Sequence, residues 1–180
     1  GPIHVLVNNA GFGLSRPVRA TTSTELQQLI DVNVSALIHL SQHFSHKMIE
    51  QRGGYILNVA SIAGYVPSPG MALYFASKSA VVSFSSALHE ELKPHNITVT
   101  TLCPGVTRTD FFQRAECGDK FDRAPQFFIH EPDHVARFAV RALLRGRSVA
   151  IPGVLNNLAV MVARLLPVSW CARILSMRMD

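Results

Sequence analysis

Three short runs constrain this chain most: IHVLVNN at 3–9, GYILNVAS at 54–61 and ITVTTLCP at 97–104, each rich in Val, Ile, Leu, Thr or Tyr and apolar over most of its length. A strand with one wet face alternates apolar with polar residues, so these runs read as parallel strands buried on both faces. A weaker fourth run, SVAIP, follows at 148–152. The stretches between them are helical. TTSTELQQLIDVNVSALIHLSQHFSHKMIEQRGG joins the first two runs, with Thr22 and Glu25 at capping-box spacing and a glycine pair to stop the helix. MALYFASKSAVVSFSSALHEELKPHN leads to the third and is ended by Pro94, and EPDHVARFAVRALLRG runs from a proline near its start to Gly146. Strand, helix, strand in repetition predicts right-handed crossovers and a doubly wound α/β parallel sheet.

Composition agrees with one domain that buries a sizeable core: 180 residues, 48% hydrophobic and 16% charged. Cys103, Cys117 and Cys171 are odd in number and widely spaced, which suits neither a disulfide framework nor a zinc knuckle. With no signal-peptide pattern in GPIHVLVNNAG, a reducing cytoplasm is the expected location. The net charge of +5 is uneven, because from Arg137 onward seven arginines stand against one acidic residue, Asp180. Few lysines and no interleaving of aromatic with basic residues argue against a nucleic-acid partner.

Tyr74 and Lys78 are four apart, which on a helix puts both side chains on one face. A tyrosine hydroxyl, with a pKa of about 10, becomes an acid or base near neutrality when a cation or donor stabilises its phenolate. Lys78 is that cation, and Ser61, at the end of an apolar strand, faces the same place and holds a substrate oxygen. NNAG at 8–11, NVASIAG at 58–64 and PGVTRT at 104–109 close strands, and YFASK at 74–78 opens a helix. Open α/β sheets bind their ligands at such strand carboxyl ends.

NNAG, a serine thirteen residues ahead of YxxxK, and PGxxxT after the next strand resemble the short-chain dehydrogenase/reductase family over roughly residues 1–152. The resemblance implies a Rossmann-type fold and NAD or NADP as cofactor. It implies hydride transfer between nicotinamide and a small-molecule carbonyl or secondary alcohol, in subunits that assemble as homo-oligomers. Carried over by position, Ser61 orients the reacting oxygen and Tyr74 is the general acid or base. Lys78 lowers the tyrosine pKa and binds the nicotinamide ribose, and Asn33, in DVNVSA, completes a tetrad by organising a water and proton path. Asn8 and Asn9 tie the central strands and line the cofactor, Ala10 and Gly11 allow its close approach, and Pro104, Gly105, Val106, Thr107 and Thr109 pack on the nicotinamide.

The sequence departs from the family at its start. GFG at 11–13 is no GxGxxG turn and no other glycine-rich turn is present, so the fold is expected to be truncated at the amino end with one strand edge bare. The choice between NAD and NADP is then unreadable, and His4 stands where the family commonly has an acidic residue. A non-catalytic chain that keeps the tetrad without holding a dinucleotide is the alternative reading, isomerase or dehydratase chemistry is the runner-up among enzymes, and a membrane-surface scaffold using the basic tail is a third.

Residues 109–131 match the family's substrate lid, and Phe111, Phe112, Phe121, Phe127 and Phe128 within it suit an apolar substrate or simply pack the lid shut. The tail at 153–180 is apolar with interspersed arginines and broken by Pro167, too short to span a bilayer. It reads as a peripheral membrane contact, a cover over the substrate pocket or a dimer face. His39 with His43 and His130 with His134 are spaced four apart without a third ligand and are expected to be plain helix histidines, and Cys103 a buried structural thiol.

Overall fold

Parallel strand pairing organises the molecule. In the computed structural model, which describes residues 1–115, 117 and 128–176, the sheet contains β1 (Val5–Asn8), β2 (Gly54–Val59), β3 (Ile97–Leu102) and β4 (Val149–Ala150). They lie side by side in the order β1-β2-β3-β4, all parallel. The helices are α1 (Ser23–Ile30), α2 (Ala36–Glu50), α3 (Ala72–Leu92), α4 (Phe111–Arg114), α5 (Pro132–Leu144), α6 (Val154–Leu165) and α7 (Val168–Ser176).

Register assigns the two faces. Leu6, Ile56 and Val99 share one row and Val7 and Leu57 the next, and side chains of successive rows point to opposite sides. On one side Met48 of α2 and Leu88 and Leu92 of α3 pack on Ile56, Ile97 and Val99. On the other, Val135, Ala139 and Leu143 of α5 pack on Leu57 and Leu102. The sheet is therefore doubly wound, as the alternation of runs predicts. β1 corrects one expectation. It is the sheet edge, and Val5 and Val7 are 49% and 52% exposed because α5 packs over β2 and β3 rather than over this strand.

Two local corrections matter for the site. The helix predicted between β1 and β2 is really α1 and α2 joined by a π-helical turn, Asp31–Ser35, with Asn33 at its middle. The capping box does form at its start, with Glu25 N donating to Thr22 Oγ1 at 3.3 Å and Thr22 N donating to Glu25 Oε2 at 2.9 Å. At its end Arg52, not a glycine, takes the left-handed conformation, at φ 63°. Arg52 N donates to Ile49 O and Gly53 N to Met48 O, which closes the helix. Gly54 is required for another reason, since a Cβ there would lie 2.5 Å from Met48 Sδ.

Candidate active site

The first turns of α3 carry Tyr74 and Lys78 to the carboxyl ends of β2 and β3. Lys78 Nζ donates to Val59 O, the last residue of β2, at 3.0 Å and lies 5.8 Å from the centre of the Tyr74 ring. Ser61 caps the 3-10 turn Ile62–Tyr65, its Oγ accepting from Ala63 N at 3.1 Å and donating to Pro104 O at 3.5 Å, and its hydroxyl pulls the pKa of the Tyr74 hydroxyl down. The turn sits tight on α3 because residue 64 is glycine, where a Cβ would lie 2.8 Å from both Lys78 O and Val82 Cγ2. Two i, i+4 side chains and a strand-end serine thus converge, as their spacing predicts.

Burial sets the electrostatics. Desolvation pushes the Tyr74 hydroxyl up to about 12, against a smaller downward pull from the neighbouring Ser61 hydroxyl and with a further upward push from Cys117. Desolvation also pulls the Lys78 ammonium down to about 8, with Cys103 opposing it. The Phe111 ring, 5.2 Å from that of Tyr74, helps keep water away from it.

Asn33 is fully buried in the π turn and binds the loop that follows NNAG. Its Oδ1 accepts from Phe12 N at 3.0 Å while its Nδ2 donates to Phe12 O at 2.8 Å and to Ser77 Oγ at 3.0 Å. A π turn shifts the side chains after it relative to an α-helix, and such turns recur at functional sites. Asn8 joins β1 to β2 and α2: its Nδ2 donates to Asn58 Oδ1 at 2.8 Å and to Ser41 Oγ at 3.0 Å, and Asn58 donates on to Ser85 Oγ at 2.9 Å. Asn9, Ala10 and Gly11 are exposed beside this network.

A family model of the short chain dehydrogenases matches residues 1–119. The chain belongs to that family. It is 40% identical over 110 residues to the uncharacterized oxidoreductase YvrD of Bacillus subtilis, a match covering 61% of the chain and 42% of that relative. It is also 40% identical over 110 residues to a 3alpha-hydroxysteroid dehydrogenase of Mediterraneibacter gnavus, covering 61% of the chain and 44% of that protein. The match thus spans less than half the length of either relative. A short-chain dehydrogenase from Sphingobium yanoikuyae solved in complex with NADPH superposes with a TM-score of 0.78 at 28% identity, covering 92% of this chain and 66% of that one.

The loop after β3 lies on the same side of the sheet. Thr107 Oγ1 donates to Gly105 O at 3.2 Å and Thr109 Oγ1 to Thr107 O at 3.5 Å, while Pro104 and Val106 are half-buried between them. Thr107 also pairs as a parallel bridge with His130. Of the predicted lid phenylalanines, Phe111 and Phe112 meet edge to face at the site with ring centres 5.4 Å apart, Phe128 is half-buried, and Phe121 and Phe127 lie outside the described residues. Cys103 is fully buried and its thiol is pushed up to about 11, as befits a structural cysteine. His130 and His134 stack with ring centres 6.0 Å apart, and His130 takes a hydrogen-bonding role described next.

Three residues escaped the sequence reading. Ser77, inside YFASK, links Asn33 to α3 by donating to Tyr74 O at 2.7 Å. Gly64 lets the Ser61 turn approach. Asn156, buried at the start of α6, donates to Pro152 O at 2.8 Å and shares a 3.1 Å hydrogen bond with His130 Nε2. Gly105 packs against it, and a Cβ on that glycine would lie 2.6 Å from Asn156 Nδ2. Only Gly64 left a sequence signal, as the last residue of NVASIAG.

Proposed function

We propose that this chain carries the hydride-transfer site of an NAD- or NADP-dependent oxidoreductase acting on an apolar carbonyl compound or secondary alcohol. The observation that carries the reading is the meeting of Ser61, Tyr74 and Lys78 at the carboxyl ends of β2 and β3, with Lys78 Nζ 5.8 Å from the centre of the tyrosine ring. The residues present fit a dinucleotide. Gly11 leaves an exposed strip beside the lysine, where a Cβ would stand 3.3 Å from Lys78 Nζ and 3.2 Å from Asn33 Oδ1. The ammonium makes one described hydrogen bond, to Val59 O, so it has further protons to offer ribose hydroxyls. Asn9, Ala10, Gly11, Pro104, Gly105, Val106, Thr107 and Thr109 would line the group.

The bound nicotinamide would supply or take up the hydride. Everything else falls to the chain. In reduction Ser61 holds the carbonyl oxygen, and Tyr74, protonated at neutral pH as an ordinary tyrosine is and held so more firmly by burial, gives that oxygen its hydroxyl proton. The resulting phenolate is stabilised by the Lys78 ammonium and by the Ser61 hydroxyl, and oxidation reverses these steps. Asn33 keeps the NNAG loop and α3 in register through Phe12 and Ser77. Phe111 against Tyr74, with Phe112 beside it, presents an apolar wall to the substrate. The steroid named for one 40%-identical relative is an apolar substrate of the same chemical class.

The test is turnover of NADH or NADPH by the purified protein against a panel of hydrophobic ketones, beside the Tyr74→Phe variant. The variant is expected to lose at least about a hundredfold in kcat while binding dinucleotide as before. A variant that keeps most of its activity removes Tyr74 from its role, and a wild-type protein that binds neither dinucleotide favours the non-catalytic reading.

A further inference from the structure

Nine of the sixteen large hydrophobic residues found exposed among the described residues lie on α6 and α7, between Val154 and Ile174. On α6 they are placed with regularity. Val154, Leu158, Met161 and Leu165 are 84%, 56%, 64% and 85% exposed. Their i, i+4, i+7, i+11 spacing makes one continuous stripe on the helix. Asn156 and Val160 are buried on the opposite side. A helix that merely covers a core turns its apolar stripe inward, and α6 turns the larger one out.

The charge around the stripe is one-sided. From His134 to Met179 the sequence holds seven arginines and no aspartate or glutamate, and Arg164 on α6 and Arg173 on α7 are exposed. Trp170 and Val168 of α7 are exposed too, and tryptophan favours the boundary between water and hydrocarbon. No helix among the described residues is long and apolar enough to cross a membrane, and α6 and α7 hold 12 and 9 residues on either side of Pro167. Two copies meeting isologously through this face would bring two arginine-bearing surfaces together, with no carboxylate on either helix to offset them. Lipid headgroups of negative charge supply what is missing.

We propose that α6 and α7 dock the protein onto an anionic membrane surface, lying in the interface with the Val154–Leu165 stripe in the acyl region and the arginines at the phosphates. The proposal does not depend on the reaction assigned above. Trp170 is the one tryptophan in the sequence, so its emission reads the contact directly. The purified protein is mixed with phosphatidylcholine vesicles with or without phosphatidylserine, and with no vesicles across a concentration series. The expected result is a blue shift and co-sedimentation with the phosphatidylserine vesicles alone. Both weaken at least about tenfold as salt is raised, because screening removes the headgroup attraction. Both are lost in Met161→Glu with Leu165→Glu, whose melting temperature stays within a few degrees because the two positions are exposed. Absence of the shift with anionic vesicles overturns the proposal. So does equal binding to neutral vesicles, or a lipid-free shift that grows with protein concentration alongside a doubling of mass, which would assign the face to a second copy.

Discussion

Asn33 holds the backbone of Phe12 from both sides, Oδ1 accepting from its N at 3.0 Å and Nδ2 donating to its O at 2.8 Å. The second proton on Nδ2 goes to Ser77 Oγ at 3.0 Å, so one buried amide joins the NNAG loop to the helix that carries Tyr74. Aspartate has the same shape but puts an acceptor where two donations are made. Asn33→Asp should therefore cost about 1–3 kcal/mol, a drop of several degrees in Tm for a domain of this size. It should also lower kcat/KM at least about tenfold, because the loop beside Lys78 loses its anchor. Thermal melts and steady-state kinetics check this together, and an unchanged Tm would mean that the amide does not hold the loop.

Lys78 provides a pH test with a definite sign. Its folded-state pKa is lowered from 10.5 to about 8 by burial, so the ammonium that supports the Tyr74 phenolate is lost as pH rises through about 8. The free-enzyme limb of kcat/KM for ketone reduction should fall across that pH. Between about 8 and 10.5 the unfolded chain binds the proton more tightly than the folded one, so the Lys78 contribution makes stability rise with pH in this window. Below about 8 both states hold the proton and the buried charge is a net cost of folding. Lys78→Met should then abolish the limb along with nearly all activity while leaving Tm at neutral pH no lower. A reduction rate that stays flat from pH 7 to pH 10 in the wild type would rule the lysine out as the group responsible.

Phe111 bears on substrate size. Its ring lies 5.2 Å from that of Tyr74, and Gly13 makes room for it, since a Cβ on that glycine would meet Phe111 Cζ at 2.8 Å. Removing the ring deletes an apolar contact next to the reacting hydroxyl. Phe111→Ala should raise KM for a bulky hydrophobic ketone about tenfold, the worth of roughly 1–2 kcal/mol of pocket contact, and leave KM for a small polar ketone within about threefold. Equal effects on both substrates would show that the ring only packs the loop.

Local spacing carried most of what the sequence could tell. Tyr74 and Lys78 share a face because they are one helical turn apart, and Ser61 meets them because a parallel strand delivers its carboxyl end beside the next helix. The π turn at Asp31–Ser35 leaves no such trace, since five residues of wider winding hardly disturb a helical hydrophobic pattern over 30 positions. Arg52 takes the left-handed turn although two glycines follow it, because Gly54 already belongs to β2 and answers to Met48. Ser77 looks like a spacer within YFASK until Asn33, distant in sequence, is seen to bond to it. The raised Tyr74 pKa was unreadable for a like reason, being caused by burial under distant segments rather than by its helical neighbour.

Gly105 and Asn156 should behave as a coupled pair. The glycine sits in the loop after β3 and the asparagine at the start of α6, and a Cβ on residue 105 would fall 2.6 Å from Asn156 Nδ2 and 2.9 Å from its Cγ. Because Asn156 is held by Pro152 O and His130 Nε2, it cannot swing clear, and Gly105→Ala should displace the loop at a cost of about 1–3 kcal/mol with a matching loss of dinucleotide affinity. Asn156→Ala alone forfeits those two hydrogen bonds but opens space at the same point. The double variant should therefore be more stable than the sum of the single losses by about 1 kcal/mol or more, measured as a double-mutant cycle in denaturant. Strict additivity would mean that the two side chains do not compete for this space, and that α6 is not what fixes the position of the loop.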